Sequence, residues 1–153
     1  MRKSALLVLF SLDEQTYALH HQVVERVLGA VEITELPQAP KVVLGVINMH
    51  GRIIPVLDIR QRFNRPPRAL RLSDQFIVAA TSRRVVAIIA DRVINVVEYS
   101  SEQLTPAGEV LDGAAYISAI AKDTEGLILI HDLDSFLSLD ESSQLDMAMG
   151  QLD

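Results

Sequence analysis

Apolar residues along this chain gather in short runs, at 6–12, 16–24, 27–33, 45–49, 52–59, 75–80, 85–90, 93–99, 116–121 and 127–131. Polar or glycine-containing turns separate them. Runs of this length, rich in Val, Ile and Leu, predict β-strands. Their spacing predicts barrels or sandwiches of antiparallel strands rather than alternating βα units. Helical patterning is sparse. Residues 58–63 predict a short helix, stopped by Pro66 and Pro67. Residues 132–139 predict another, with Asp132 or Asp134 as its cap. From Asp140 onward the chain is acidic with scattered Leu and Met, the pattern of a helix or a frayed tail.

Residues 45–60, GVINMHGRIIPVLDIR, hold two apolar pairs on either side of His50-Gly51. Gly51 adopts positive φ without steric cost, so the stretch predicts two strands folding back through a tight turn. Pro55 cannot donate to a ladder, which predicts an edge position or a bulge near it. An apolar hairpin of this kind is either core or a place where another chain docks.

The pattern also repeats. A shift of 66 residues places Phe10 on Phe76, Leu19 on Val85, Val23 on Ile89 and Glu25-Arg26-Val27 on Asp91-Arg92-Val93. A shift of 74 places Ile53-Ile54 on Leu127-Ile128, Asp58 on Asp132 and Phe63 on Leu137. Two similar units of about sixty residues each are near the lower limit for a self-sufficient core. They should pack on one another, and the groove between them is a natural binding place.

Composition narrows the function. Of 153 residues 49% are hydrophobic, enough for a packed core, and none is cysteine, which excludes disulfide and thiolate chemistry and fits a reducing compartment. The apolar start, MRKSALLVLFSLDEQ, runs into Asp13 and Glu14 without a small-residue cleavage site and reads as a first strand. These features predict a soluble intracellular protein with no membrane insertion. The net charge of −6 is uneven: residues 52–97 carry nine basic and three acidic side chains, and residues 98–153 one basic and twelve acidic. Opposed faces of that kind favour oriented association.

No catalytic constellation assembles. His20 and His21 are adjacent and would face opposite sides of a strand, while His50 and His131 stand alone, so no metal site is predicted. Asp58, Asp91 and Asp132 follow apolar strands, where capping carboxylates are common. A phosphate-cradling glycine loop and a G-x-S-x-G elbow are both missing from the sequence. The sequence therefore predicts neither catalysis nor a cofactor. Arg60, Arg62, Arg65, Arg68 and Arg71, with Phe63 among them, form a stripe that could follow a phosphate backbone. The acidic total and the interrupting prolines speak against nucleic acid, which stays as the alternative of a different class.

With hairpin and repeat in hand, the chain resembles the CheW-like family of bacterial chemotaxis coupling proteins over residues 6–139. GVINMHGRIIPVLDI is similar to the family's G-V-x-N-x-R-G-x-x-x-P-V-x-D-L stretch. FSLDEQTYALHHQVVERVL resembles its opening hairpin and V-x-E-V segment, ELPQAP the loop leading into the hairpin, and VVAIIADRVINVVEYSSEQLTP and YISAIAKDTEGLILIHDL the later strand pairs. The resemblance implies a mostly β fold of two intertwined five-stranded SH3-like barrels with short helices, one domain over 1–153. Subdomain A would span 13–72, and subdomain B 73–139 completed by the first strand, 5–12. Residues 140–153 would be an acidic tail. It also implies a non-enzymatic, cytoplasmic adaptor recruited to membrane-associated arrays. Its partners would be a chemoreceptor signalling tip, the regulatory domain of a CheA-type histidine kinase and CheW-like homologues in rings.

Position by position, Val24, Val27 and Val96 match apolar positions of the receptor groove, with Arg26 and Ala87 at neighbouring groove positions. Gly45 and Gly51 match hairpin glycines associated with partner contact, and Asn48 a turn-fixing asparagine. Arg26 stands where the family's glutamate is usual and His50 where its arginine is usual, so their salt bridge is not expected here. Ala87 and Ala119 replace glycines. A kinase-binding accessory protein without a receptor site is the alternative within this class.

Overall fold

The computed structural model describes residues 4–107, 116–124 and 126–150. Within them the β-branched, alternating runs form β1 (Ser4–Leu12), β2 (Gln15–His20), β3 (Val24–Gly29), β4 (Val43–Met49), β5 (Arg52–Leu57), β6 (Gln75–Ala80), β7 (Val85–Ala90), β8 (Arg92–Ser100), β9 (Leu104–Pro106), β10 (Ile117–Asp123) and β11 (Gly126–His131). The described helices are α1 (Ile59–Arg62), α2 (Leu139–Gly150) and three 3-10 turns, and Ala107 is helical as well. The fold is mostly β. Only β9, three residues long, has no apolar run to foreshadow it.

The strands form two sheets, in the orders β8-β1-β2-β11-β10-β9 and β3-β6-β7-β5-β4. Apart from β9, which ends the first, these are the same order twice. In each, two antiparallel pairings are followed by a parallel one, β2 on β11 and β7 on β5, and then by an antiparallel hairpin. The bulges coincide as well: Glu25 on β3 and Ile94 on β8 are passed over by the ladder, and so are Leu44 on β4 and Ser118 on β10.

The strands distribute differently from the division expected at residue 72. The whole hairpin β1–β2, rather than the first strand alone, joins β8, β10 and β11, and β6–β7 joins β3–β5 in return. A tight turn with positive φ at Asp13 and Glu14 keeps β1 and β2 together, so they cross as a unit. The ladders also correct the first repeat offset. It is 69, placing Ala18 on Ala87, Leu9 on Val78 and Val27 on Val96, not 66. The difference is odd, and an odd slip turns every strand residue to the other face. The Glu25-Arg26-Val27 likeness to Asp91-Arg92-Val93 is incidental, because Asp91 lies in the β7–β8 turn and Glu25 within β3. The offset of 74 holds: Ile54 pairs with Ile47, and Ile128 with Ala121.

Core packing obeys the corrected register. Leu7, Leu9, Ala18, Ala121, Ile128 and Ile130 fill one unit, and their equivalents Phe76, Val78, Ala87, Ile47, Ile54 and Val56 fill the other. A third cluster joins the sheets through Phe10, Tyr17, Leu57, Ile59, Ile88, Leu133 and Phe136. Each unit alone is too small to exclude water well, so this shared layer is what makes them one core.

The caps repeat too. Asp58 Oδ1 accepts from the Gln61 N–H at 3.3 Å while the Asp58 N–H donates to Val42 O. Asp132 Oδ1 accepts from the Asp134 N–H at 3.2 Å while the Asp132 N–H donates to Tyr116 O. Asp132, not Asp134, is the cap, and it opens a 3-10 turn, Leu133–Ser135, rather than a helix over 132–139. The stretch expected as an acidic tail is, over Leu139–Gly150, a helix whose Leu145 and Ala148 enter the shared cluster. Pro55 sits in β5, an inner strand, and is tolerated because the pairing of β5 with β7 begins only at Val56.

Candidate interaction site

The hairpin β4–β5 turns through His50 and Gly51, with φ of 52° and 88°. Two successive positive φ values match the right-handed twist of the flanking strands. Asn48 Oδ1 accepts from the Gly51 N–H at 2.8 Å, which fixes the turn as the sequence suggested, and leaves His50 exposed at its tip. Gly45 has a different task. Thr34 and Val46 exchange backbone hydrogen bonds of 2.8 and 2.7 Å beside it, and a Cβ on Gly45 would lie 2.3 Å from Thr34 O. The glycine lets another backbone segment approach closely.

Beside this turn, the bulge in β3 changes which side chains face outward. Regular alternation would put Glu25 and Arg26 on opposite faces, but the extra residue leaves both exposed. Glu25 Oε2 receives Arg52 Nη1 at 3.2 Å. Glu25, Arg26, Met49, His50 and Arg52 line one shallow depression. The sequence did not anticipate this pair, which joins β3 to the hairpin through Glu25 and Arg52 rather than through Arg26 and His50. Arg26 has no acidic partner among the described residues.

The anticipated groove residues do not all meet. Val24 is half-buried against the shared cluster, and Val27 is 38% exposed on the same strand. Val96 is 47% exposed on β8, flanked by exposed Ile94 and Leu6. Val27 and Val96 are equivalent positions on the end strands of different sheets. Ala87 is 0% exposed, between Val56 and Val78 in the ladder, so it is core and lines no surface groove.

The arginine stripe is mostly internal wiring. Arg60 bridges Asp13 at 2.7 Å and Asp91 at 2.8 Å, and Arg68 bridges Asp74 at 2.8 Å and Asp91 at 2.6 Å. The Arg60 hydrogen bond holds the Asp13 carboxyl below its usual range. Arg62 donates to Phe136 O and pairs with Glu141, and Arg65 Nε donates to the Tyr17 hydroxyl at 3.1 Å. Guanidinium groups committed in this way are not available to phosphates. Sequence reasoning misses this network because its acids lie in distant turns.

His131 is 2% exposed, with its ring edge-on to Phe63 and Phe136 and neither nitrogen hydrogen-bonded among the described residues. Burial pushes its pKa down to about 3. Its equivalent in the first unit is Leu57, so the imidazole occupies a leucine's place. Among the described residues no group of His, Asp and Glu could hold a metal ion, and no helix is long and apolar enough to cross a membrane.

The CheW-like domain model matches residues 6–141. The chain belongs to the CheW-like family. Chemotaxis protein CheW of Klebsiella aerogenes is 27% identical over 141 residues, covering 91% of this chain and 85% of that protein. Chemotaxis protein CheW of Thermotoga maritima is 31% identical over 129 residues, covering 84% of each. The crystal structure of the scaffolding protein TtCheW from Thermoanaerobacter tengcongensis superposes with a TM-score of 0.82 at 28% identity, covering 91% of this chain and 96% of that one. The CheW-like match thus spans both sheets and ends just inside α2. It leaves residues 142–150 of the helix beyond it.

Proposed function

We propose that this chain is a non-catalytic scaffold coupling the cytoplasmic tip of a chemoreceptor to a CheA-type histidine kinase in a chemosensory array. The observation that carries it, on the family fold, is the exposed corner made by bulged β3 and the His50–Gly51 turn. There the Glu25–Arg52 pair and Arg26 line a depression with Met49 and His50, and exposed Val27, with Val24, takes the other face of the same strand. An apolar strip with a charged rim is the make-up of a protein docking surface. Val24 and Val27 of β3 are the positions offered to a receptor helix, with Val96 of β8 the equivalent position on the other sheet, and Asn48, His50 and Gly51 form the hairpin offered to the kinase. Two equivalent units give two related faces, which suits head-to-tail rings with homologues. Coupling is then a binding free energy that depends on receptor state.

Co-sedimentation with a receptor tip and the kinase regulatory domain, separately and together, tests this. Binding of both, strongest together, is the expected result. Val27→Arg should weaken receptor association about tenfold by placing a charge in the apolar strip, while leaving kinase binding intact. Arg26, a base exposed at this corner, favours a second reading, an accessory array protein. Kinase binding without receptor binding would establish that reading and sink the coupling role.

A further inference from the structure

Helix α2 meets the sheets through side chains. Its inner face is Ser142, Leu145 and Ala148, spaced three apart and all buried. Around that face stand three arginines from α1 and the β6–β7 turn. Arg62 pairs with Glu141, Arg84 pairs with Asp146, and Arg83 Nη1 donates to Ser142 Oγ at 3.1 Å. The charge relation is one-sided, because residues 139–153 contain neither Lys nor Arg. Apolar Leu57, Val86, Leu133 and Leu137 line the cleft next to Ser142.

Two features make the helix separable. The Glu141 N–H donates to Ser138 Oγ at 3.1 Å and the Ser138 N–H to Glu141 Oε1 at 2.9 Å, a reciprocal cap that stays with the helix when it leaves. Lifting it also breaks no strand pairing, so its opening can be cheaper than global unfolding. The family match, moreover, covers the groove and stops at residue 141, before Leu145, Asp146 and Ala148. The groove belongs to the shared domain, and most of its occupant does not.

We propose that the groove beneath α2 is a binding site for an acidic amphipathic helix, filled in cis by α2 and open to a partner's helix of the same chemistry when α2 lifts. Such a helix carries two small or apolar residues three apart, flanked by carboxylates that meet Arg62 and Arg84. The tethered copy competes at high effective concentration, so the intact chain binds a free helix weakly.

The test uses the full chain and a labelled synthetic peptide of residues 137–150, read by fluorescence anisotropy. Asp146→Arg weakens the cis helix and leaves the groove intact, so it should bind the peptide at least about tenfold more tightly than the unmodified chain. Arg84→Glu sets a carboxylate against the peptide's own and should abolish that gain when added to Asp146→Arg. A folded Asp146→Arg chain that binds no better than the unmodified one would overturn the proposal. Hydrogen exchange on the unmodified chain gives an independent reading. Amides of α2 should exchange faster than those of β1 and β6, and faster still in high salt. Equal protection of α2 and β6 would overturn it, and self-association of the unmodified chain would assign the groove to a second copy instead of a partner.

Discussion

The two units share one ladder but not one filling. Gly45 faces Ala119, Leu57 faces His131, Glu25 faces Ile94 and Arg52 faces Gly126 across the equivalence. Even the staple between each helical turn and the neighbouring hairpin recurs in altered form. Arg60 of the first unit pairs with Asp13 of the second, and Asp134 Oδ1 of the second accepts from the Ser82 N–H of the first at 2.7 Å. What is equal in both is scaffold. Where they differ, each unit acts as the other's control, and the charged corner of the first has an apolar residue and a glycine as its counterpart.

The largest expected effect tests how local that equivalence is. Gly45→Ala drives a Cβ against Thr34 O, a backbone atom that cannot swing aside, at a φ of 153°. A loss of about 3 kcal/mol is expected. Ala119→Gly, at the position that already holds a methyl opposite Pro106, should cost about 1 kcal/mol. Denaturant midpoints of the two variants measure the contrast, and similar losses would mean that the two bulges differ only in sequence.

The staples come next. Arg60→Ala takes a shared partner from exposed Asp13 and from half-buried Asp91, which keeps Arg68, and should cost about 1.5 kcal/mol. Asp134→Ala removes one bond to a backbone N–H and should cost about 1 kcal/mol by thermal unfolding.

His131→Leu should run the other way. An orphaned buried imidazole costs on the order of 1–3 kcal/mol, more than its edge contacts with Phe63 and Phe136 return, so the variant should gain about 1 kcal/mol at neutral pH. With its folded pKa pushed down to about 3, the unfolded chain takes up the proton first as pH falls. Stability therefore drops between the unfolded pKa, near 6.5, and about 3, by up to ~1.4 kcal/mol per unit. Above that window the group contributes no slope. Urea unfolding across it should show a flatter profile for His131→Leu.

Strand runs, the turn at His50-Gly51, the Asp58 and Asp132 caps and the duplication are all legible in the sequence, because each rests on local periodicity or turn chemistry. The exchange of hairpins is not, since nothing local to β2 says that Thr16–Ala18 will lie beside Ile128–Ile130. The offset of 66 fails because near-continuous apolar runs such as VVAIIA match at odd slips as well as even ones, so they do not mark the face. Ala87 passes for a surface position in the sequence because burial depends on what lies across the sheet. The Glu25–Arg52 pair escapes notice there because a bulge, invisible in composition, turns Glu25 outward.

That pair gives the smallest effect on stability and the sharpest on function. Its side chains are 51% and 38% exposed, so water screens the attraction and Arg52→Ala should cost less than about 0.5 kcal/mol. The counterpart, Gly126, has no side chain at all, and the second unit folds without such a pair. Scaffold duty therefore does not require Arg52. If the corner is a docking surface, losing Arg52 frees Glu25 beside Arg26, and the two exposed charges can then pair with each other rather than with a partner. Receptor affinity in co-sedimentation should fall several-fold while the unfolding midpoint hardly moves. Equal affinity for Arg52→Ala and the unmodified chain would place recognition elsewhere, and the apolar residues of β8, which the second unit offers at the equivalent position, would be the next to substitute.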